Sequence, residues 1–381
     1  MIPQRIYAEI NLDRICENIK NVMQKIGNST KVMAVVKSDA YGHGAVMVSK
    51  ALSEIGVSYF AVATSAEAIE LRENGIDKPI LILGYVFSQD FKEMISQNIS
   101  LTVFEYESAM LISKKAKELG KIATIHIKID TGMGRIGFLP TDESIEEIKK
   151  ISQLKNLKIE GIFTHFANAD EKDKTSCSGQ IKQFLDFIKK LESENIKFEL
   201  KHMCNSAAVI DFDDGFLDIV RSGIMTYGLY PSDEVDRSKL LLKPAMQIKS
   251  HIAFVKSVPK DFSVSYGSTF ITDKKMKIAT IPVGYGDGYS RGLSNKGKVI
   301  IKGEFANIIG RVCMDQFMVD VTNIKDVKQG DEAIIMGSDG KKTITAEEIS
   351  SQYDSFNYEF CCDINKRVPR IYIKNGTIID N

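Results

Sequence analysis

The sequence has no tryptophan and is poor in proline and cysteine, with eight prolines and six cysteines in 381 residues. The cysteines do not follow the spacing of a metal site, and the adjacent Cys361 and Cys362 would bridge one another only under strain. We therefore predict no metal site and interpret all six as reduced thiols of a cytoplasmic protein. They are Cys16, Cys177, Cys204, Cys313, Cys361 and Cys362.

Long apolar runs and an excess of charge are also missing. No apolar segment approaches the ~18–20 residues that cross a bilayer, and the first residues, MIPQRIYAEINLDR, have no apolar core of an export signal. Lys plus Arg and Asp plus Glu both number 50, so no overall field favours nucleic acid or acidic membranes. We expect a cytoplasmic protein that binds neither membranes nor nucleic acid.

The composition that remains is that of an ordinary globular protein, with 44% hydrophobic and 26% charged residues. A chain of 381 residues is too long for one ordinary domain and suits two.

In the first part of the chain, short apolar runs alternate with stretches of helical periodicity. The runs are 32–36, 59–63, 80–84, 100–104, 122–129, 158–164, 199–204 and 217–220, followed by MTYGLY at 225–230. Helices are predicted between them, among others at 65–74, 106–119, 143–153 and 178–195. About eight strand–helix repeats predict a parallel, TIM-like (β/α)8 barrel. An open doubly wound sheet is the alternative, but no G-x-G-x-x-G follows the first strand.

The pattern changes after Pro231 and Ser232. From about residue 245 the runs alternate apolar and polar residues between glycine and asparagine turns, as in KIATIPVGYGDGY. Only one helix is predicted there, near 345–353. We therefore predict an α/β protein with an N-terminal barrel over residues 1–240 and a C-terminal mainly β domain over residues 241–381.

One lysine stands at the end of a buried strand. The run from Val32 to Val36 has no alternation, which is typical of a strand covered on both faces, and Lys37 follows it directly. In strand–helix proteins this edge of the sheet is where ligands bind. Desolvation there lowers the pKa of an amine and favours its use as a nucleophile or base. The alternative is that Lys37 extends its ammonium into solvent.

The residues around Lys37 resemble a known motif. Lys37 with Ala40-Tyr41-Gly42-His43-Gly44 is similar to the cofactor-lysine motif of the alanine racemases, which use pyridoxal phosphate (PLP). The resemblance continues in order at Lys128 to Gly137, His165, Asn205-Ser206, Arg221 to Ile224, Tyr266, Met314-Asp315 and Tyr358. It implies the same two-domain layout, with the first strand, residues 4–10, joining the β domain.

The resemblance also implies a mechanism with two acid–base groups. Lys37 would hold the cofactor and serve one face of the substrate Cα, and Tyr266 would serve the other face. His165, relaying to Arg221, would lower the cost of ionising the phenol. The family brings this tyrosine from the second subunit of a homodimer. Without the resemblance, Tyr266 is one of 13 tyrosines in the chain, and core packing within a strand would be the simpler explanation for it.

Further roles follow from the same resemblance. Arg221 would face the pyridine nitrogen, where a guanidinium keeps its protons and leaves that nitrogen unprotonated. The phosphate would be bound by the amides of Gly223 and Ile224 and by the hydroxyls of Tyr41, Ser206 and Tyr358.

Substrate contacts are implied as well. Arg135, with the Met314 amide, would bind the substrate carboxylate. Lys128, which in the family is often carbamylated, would then brace Arg135 as an anion. Tyr285 and Asp170 would line the access corridor, where Ser268 and Asn168 depart from the residues common in the family.

The function that the resemblance implies is conversion of L-alanine to D-alanine for peptidoglycan precursors in a bacterial cytoplasm. A serine or broad-range racemase is the alternative, although the bulk of Tyr358 should crowd longer side chains. A decarboxylase of the same barrel type usually has an acidic group at the pyridine nitrogen. A non-catalytic PLP carrier would need no β domain with Tyr266.

Overall fold

The computed structural model describes residues 5–213 and 215–379. Its strands, in chain order, are β1 (Ile6–Asn11), β2 (Lys31–Val35), β3 (Tyr59–Val62), β4 (Ile80–Ile82), β5 (Ser100–Val103), β6 (Ala123–Lys128), β7 (Leu157–Phe163), β8 (Leu200–His202), β9 (Ile219–Ser222), β10 (Met246–His251), β11 (Phe254–Val258), β12 (Ser263–Val264), β13 (Phe270–Ile271), β14 (Met276–Ile281), β15 (Lys298–Ile301), β16 (Glu304–Ile309), β17 (Phe317–Asp320), β18 (Glu332–Ser338), β19 (Thr343–Ile344), β20 (Arg370–Lys374) and β21 (Thr377–Ile379). The helical segments are α1 (Leu12–Ile26), α2 (Lys37–Tyr41), α3 (Ala45–Glu54), α4 (Ser65–Glu73), α5 (Phe91–Ser96), α6 (Tyr106–Glu118), α7 (Asp142–Ser152), α8 (Thr175–Ser193), α9 (Ser206–Asp211), α10 (Ala346–Ser351) and α11 (Asn357–Asp363).

The chain forms two compact units. The barrel unit comprises Arg14–Ala40 and Ala45–Pro244, and the described part of the β unit comprises residues 5–13, 41–44 and 245–379.

The barrel unit is built on a parallel sheet in the order β8-β7-β6-β5-β4-β3-β2-β9. Its two end strands approach each other, because the Asp218 amide donates to the Lys201 carbonyl at 3.2 Å and the Arg221 amide donates to the Cys204 carbonyl at 3.0 Å. The strands β3, β4 and β5 are buried at every residue, which explains the unbroken apolar sequences of β3 and β4. The predicted eight-stranded barrel is confirmed.

The segment MTYGLY differs from the strand-like run predicted for it. Residues Ile224–Tyr227 form a 3₁₀ turn instead. Gly228 ends this turn at a φ of +82°, and a Cβ there would lie 1.8 Å from the Lys243 carbonyl oxygen. The close approach of a second backbone therefore ends the run.

The β unit contains a large, mainly antiparallel sheet in the order β11-β14-β17-β16-β15-β18-β10-β1-β20-β21. The strand β1 lies antiparallel to β10 and parallel to β20. One apolar cluster of the unit joins Val258, Val264, Met276, Ile278 and Ile309. The predicted mainly β character of this part of the chain is confirmed.

The prediction of a single helix in this part was wrong. Besides α10, which matches the predicted helix, the short helix α11 spans Asn357–Asp363 and carries Tyr358. Its sequence NYEFCCD buries only Asn357, Phe360 and Cys361. Such a short segment has too few apolar positions to show a helical period.

Candidate active site

Lys37 is half-buried and opens α2, a segment that is not an ordinary helix. Ser38, Asp39 and Ala40 all have φ of 52–53° and ψ of 49–50°, which is the left-handed conformation. This conformation costs roughly 1–2 kcal/mol for each residue with a side chain. The segment therefore depends on contacts that hold it in place.

Two carboxylates of the barrel unit provide such contacts. The Glu67 Oε1 atom accepts a hydrogen bond from the Ser38 amide at 2.7 Å, while its Oε2 atom accepts from the Ala63 amide at 2.7 Å. The Asp39 Oδ1 atom accepts from the Ala45 amide, at the start of α3, at 2.7 Å. The position of Lys37 is thus fixed from α4 and α3.

Two basic side chains, Lys128 and Arg221, face one aromatic ring inside the barrel. Lys128 Nζ lies 4.9 Å and Arg221 Cζ lies 5.5 Å from the centre of the Phe163 ring. Burial, followed by the charge of Arg221, lowers the pKa of Lys128 to about 6. Within residues 5–213 and 215–379, Lys128 Nζ has no hydrogen-bond partner. Lys128 is therefore a buried, neutral amine at pH 7.

Arg221 is buried among neutral partners. Its Nη1 donates to His202 Nδ1 at 2.9 Å, and its Nη2 lies 3.2 Å from His165 Nδ1. Nη2 also donates to the carbonyls of Thr164 and Met203 at 2.8 and 2.9 Å. No carboxylate of the described residues forms an ion pair with it. Burial lowers the pKa of Arg221 to about 10, so the guanidinium remains charged at pH 7.

His165 follows β7 and is neutral. A guanidinium can only donate, so His165 Nδ1 accepts from Arg221 and its proton lies on Nε2. Burial lowers the pKa of His165 well below its usual value, and the charges of Arg221, Arg135 and Lys37 add to that effect. The barrel therefore brings Lys37, Lys128, His165 and Arg221 to one region, as their positions at strand ends predict.

Arg135 is an exposed residue of a loop that wraps around Asp130. The Asp130 carboxylate accepts from the amides of Gly132, Gly134 and Arg135 at 2.9, 3.1 and 2.8 Å. Burial by itself would raise the pKa of Asp130, but these amide hydrogen bonds outweigh it and the pKa is lowered. Among the described residues no carboxylate forms an ion pair with the Arg135 guanidinium, so this exposed side chain can offer its charge to a ligand.

A cluster of hydroxyl and amide groups lies where β8 and β9 end. Asn205 Oδ1 caps α9 by accepting from the Ala208 amide at 3.0 Å. Ser206 Oγ accepts from the amides of Gly223 at 3.0 Å and Met225 at 3.5 Å. These groups have the chemistry of an oxyanion site.

The remaining corridor residue of the barrel unit, Asp170, is half-buried. Its carbonyl accepts from Ser232 Oγ at 2.6 Å. Asn168, at one of the two departures from the family pattern, donates to Glu171 Oε1 at 2.6 Å.

The other candidate residues belong to the β unit. The rings of Tyr41 and Tyr358 lie 6.0 Å apart at 55°. Tyr266 is 70% exposed and opens the turn Tyr266–Ser268, in which Gly267 has a φ of +72°. A Cβ on Gly267 would come within 3.2 Å of the Arg311 guanidinium. The backbone therefore presents the Tyr266 side chain outward from its own unit.

Tyr285 and Met314 are neighbours in the β unit. The Tyr285 amide donates to the Cys313 carbonyl at 3.1 Å, and the Gly286 amide donates to the Met314 carbonyl at 2.8 Å. A Cβ on Gly284 would lie 2.2 Å from the Cys313 carbonyl oxygen, so only glycine allows this approach. Asp315 forms an ion pair with Arg367 at 2.7 Å.

Three polar residues that connect to Arg221, two of them buried and one half-buried, are missing from the sequence-based predictions. His126, His202 and Glu160 form a hydrogen-bonded series that ends at Arg221. A signal for them exists, because His126 and His202 lie inside predicted buried strands, where an ionisable residue needs a partner. Sequence alone does not reveal which partner that is.

Neither a metal-binding cluster nor a membrane-spanning helix is present among the residues that the structure describes. No group of three or more His, Cys, Asp or Glu side chains there is placed to hold a metal ion. Within the same part of the chain, every helix is too short or too polar to cross a bilayer. All six cysteines carry free thiols.

Comparison with known proteins gives full-length matches. Two family models match, the alanine racemase N-terminal domain over residues 10–231 and the alanine racemase C-terminal domain over residues 245–372. The alanine racemase of Clostridium perfringens (strain SM101 / Type A) is 50% identical over 374 residues, covering 98% of this chain and 97% of that protein.

Solved structures match equally well. Alanine racemase of Clostridium difficile 630 superposes with a TM-score of 0.96 at 44% identity, covering 100% of this chain and 98% of that chain. The complex of Clostridium difficile 630 alanine racemase with cycloserine gives a TM-score of 0.94 at 42% identity, with the same coverage.

Proposed function

The chain belongs to the alanine racemase family, and from this premise we propose that it interconverts L-alanine and D-alanine with pyridoxal 5'-phosphate as cofactor. A racemase is an isomerase, and such a reaction moves one proton off Cα and returns one to the opposite face. The observation that carries the proposal is the buried Arg221, whose partners are all neutral, in the same region of the barrel as Lys37.

The residues present fit the cofactor. Lys37 offers an amine for its aldehyde, and Arg221 offers N–H donors to an acceptor nitrogen that lacks a proton. Ser206, Gly223 and Ile224, together with the tyrosine hydroxyls of Tyr41 and Tyr358, suit a phosphate. When bound, the cofactor supplies an electron sink for the charge left at Cα after proton removal.

Two side chains move the proton in this proposal. Lys37 Nζ takes or returns it on one face of Cα, and Tyr266 Oη acts on the other face. Each positioned acid–base group contributes about 10²–10⁴-fold to the rate. Tyr266 comes from the second subunit of a homodimer, and the neutral His165 with the charged Arg221 lowers the cost of its phenolate.

Arg221 also limits the chemistry to proton transfer. An acidic residue in its place would protonate the facing nitrogen and strengthen the electron sink, which would favour transamination. A guanidinium with a pKa of about 10 keeps its protons at pH 7 and weakens the sink. This distinguishes the chain from a decarboxylase of the same barrel type.

The substrate carboxylate is bound by Arg135 and by the Met314 amide. Arginine suits this task because its fork can contact both carboxylate oxygens. Tyr285 and Asp170 line the corridor through which the substrate enters. The proposal places the enzyme in the cytoplasm, where it supplies D-alanine for peptidoglycan.

Lys128 is carbamylated in this proposal. The neutral amine adds to the carbon of CO2, one proton leaves to solvent, and the product is a carbamate anion. Support comes from the pKa of Lys128, which burial lowers to about 6, and from the lack of a hydrogen-bond partner for Nζ among the described residues. The test is NMR after incubation with ¹³C-bicarbonate, where a carbamate resonance absent from Lys128→Met is expected. Plain lysine under these conditions would contradict it.

A racemisation assay tests the function as a whole. The purified enzyme, loaded with pyridoxal phosphate, is given L-alanine, L-serine and L-lysine, and the D-enantiomers are measured. We expect fastest turnover with alanine and a loss of ~10²–10⁴-fold in kcat for Tyr266→Phe, with the cofactor still bound.

Other outcomes of this assay separate the alternatives. Equal rates on alanine and serine would favour a broad-range racemase and reject the assignment to alanine. Cofactor binding without racemisation of any amino acid would favour a carrier protein.

A further inference from the structure

A series of hydrogen-bonded side chains connects Arg221, through two buried histidines, to the half-buried Glu160 in the middle of β7. Arg221 Nη1 lies 2.9 Å from His202 Nδ1, and His202 Nε2 lies 3.0 Å from His126 Nδ1. His126 Nε2 lies 3.1 Å from Glu160 Oε2, which also accepts from Tyr59 Oη at 2.9 Å. Both histidines are completely buried. The series therefore contains three consecutive contacts between Arg221 and Glu160.

The two ends of the series fix every proton within it. Arg221 has only donors, so His202 Nδ1 must accept, and neutral His202 then carries its proton on Nε2. That proton is donated to His126 Nδ1, so neutral His126 carries its own proton on Nε2 and donates it to Glu160. Each donor thus points from Arg221 toward Glu160.

The charges of the series agree with this assignment. Burial lowers the pKa values of both His126 and His202, so both rings are neutral at pH 7. Burial alone would raise the pKa of Glu160, but the hydrogen bonds from His126 and the Tyr59 hydroxyl, together with the charge of Lys158, lower it to about 2. Glu160 is consequently a carboxylate and a pure acceptor.

We propose that Glu160 is a positioning residue that fixes the ring tautomers of His126 and His202 and thereby holds the Arg221 guanidinium in place. Without an acceptor at position 160, the tautomers that Arg221 favours leave the buried Nε2–H of His126 without a partner, and this unfavourable state drives His126 toward the other tautomer. With the proton on Nδ1, it would face the N–H of His202. His202 would then move its proton to Nδ1 and meet the N–H of Arg221.

Packing prevents the His202 ring from rotating to relieve these contacts between two N–H groups. The His202 ring stacks on Phe163 at 4.6 Å with an angle of 4° between the planes. Phe163 also lies beneath Arg221, so a displaced ring would disturb the guanidinium directly. Glu160 therefore acts on Arg221 through two intervening rings rather than by contact.

The surroundings of Glu160 suggest a matched pair of variants. Tyr59 and His126 both donate to Oε2, while Lys158 Nζ lies 3.6 Å from Oε1 and has a second partner, Glu199, at 2.9 Å. In Glu160→Gln the amide oxygen can replace Oε2 and keep both hydrogen bonds. In Glu160→Leu the acceptor is lost.

Nitrogen NMR of ¹⁵N-histidine-labelled, cofactor-loaded enzyme reads the tautomers directly. The chain has five histidines, so resonances can be assigned by substituting them singly. We expect Nδ1 unprotonated and Nε2 protonated on both His126 and His202 in the wild type and in Glu160→Gln. Glu160→Leu should show protonated Nδ1 on at least one of them. A protonated Nδ1 in the wild type overturns the proposal even if Glu160→Leu fails to fold.

Kinetics provide a second readout, which rests on the proposed function. If Arg221 is misplaced, kcat for alanine should fall by ~10²-fold in Glu160→Leu with KM little changed, and Glu160→Gln should restore most of it. Glu199→Gln, which also removes a carboxylate from Lys158, is the control and should behave as wild type.

Failure of the proposed function and failure of the proposed role of Glu160 would give different results. A wild type that does not racemise alanine contradicts the proposed function, whereas the NMR result stands by itself. Unchanged tautomers together with unchanged kcat in Glu160→Leu would overturn the role of Glu160.

Discussion

Lys128 shows how burial decides the chemistry of a single residue. The residue is 3% exposed and its amine lies near Arg221 and Arg135, so the folded protein disfavours its charged form. The pKa falls from 10.5 to about 6. Between these values the unfolded chain binds a proton that the folded chain does not, so stability should rise with pH across this range.

Replacing this lysine should therefore stabilise the protein in a pH-dependent way. In CO2-free buffer, Lys128→Met should raise the melting temperature, most strongly at about pH 6 to 7, and the difference should shrink toward about pH 10. Thermal denaturation across this range is the measurement. Lys114→Met, at an exposed position of α6, controls for the loss of one positive charge. A difference that grows with pH would contradict the lowered pKa.

Tyr358 is the residue from which we predict substrate preference. Its ring lies against those of Tyr41 and Phe356, at 6.0 and 5.3 Å between centres, which restricts its freedom to move aside. Tyr358→Asn should therefore increase kcat/KM for serine relative to alanine. Because kcat/KM for serine and kcat/KM for alanine are measured on the same preparation, their ratio serves as the internal control. A ratio equal to that of the wild type would show that Tyr358 does not limit side-chain size.

At the scale of elements, the left-handed segment α2 depends on helix α4. Glu67 closes a capping box with Thr64 and also accepts from the Ser38 amide. The Glu67 side chain thus both caps α4 and holds the segment that begins at Lys37. Each of these hydrogen bonds is worth about 0.5–1.5 kcal/mol, in the same range as the conformational cost of one left-handed residue.

Glu67→Ala should accordingly lower both stability and cofactor affinity. We expect a loss of about 1–2 kcal/mol in the free energy of unfolding, as for other helix caps, and weaker retention of pyridoxal phosphate on dialysis. Glu70→Ala, at an exposed position of the same helix, is the matched control. Loss of stability without loss of cofactor would mean that Glu67 caps α4 but does not position Lys37.

The elements differ in how far the sequence predicts them. Barrel strands such as β4 are buried at every residue, so their apolar runs alone locate them, and the resemblance to alanine racemases is confirmed along the whole chain. The left-handed conformation of α2 is not predictable, because KSDAY contains no glycine and is held by the distant Glu67. The contact between His126 and Glu160 likewise depends on strand register, which local patterns do not give. The roles of Lys37, Tyr266 and the other site residues stay predictions.

At the scale of the whole molecule, the proposal requires two chains for each site. Tyr266 belongs to the β unit and is 70% exposed in the single chain, which suits a residue that acts in a second subunit. If so, a homodimer has two sites, each combining Lys37 of one chain with Tyr266 of the other. Lys37→Ala and Tyr266→Phe should each be inactive as pure dimers.

Mixing these two inactive variants under conditions that allow subunit exchange should restore activity. Half of the dimers would be mixed, and each mixed dimer would have one site with both native residues, so activity should approach about a quarter of the wild-type value. Racemisation of L-alanine, followed before and after exchange, is the measurement, and mixing either variant with itself is the control. If Lys37 and Tyr266 served a site within one chain, no mixed dimer would contain an intact site. Activity would then stay at the level of the separate variants, although subunit exchange, followed by native mass spectrometry, had taken place.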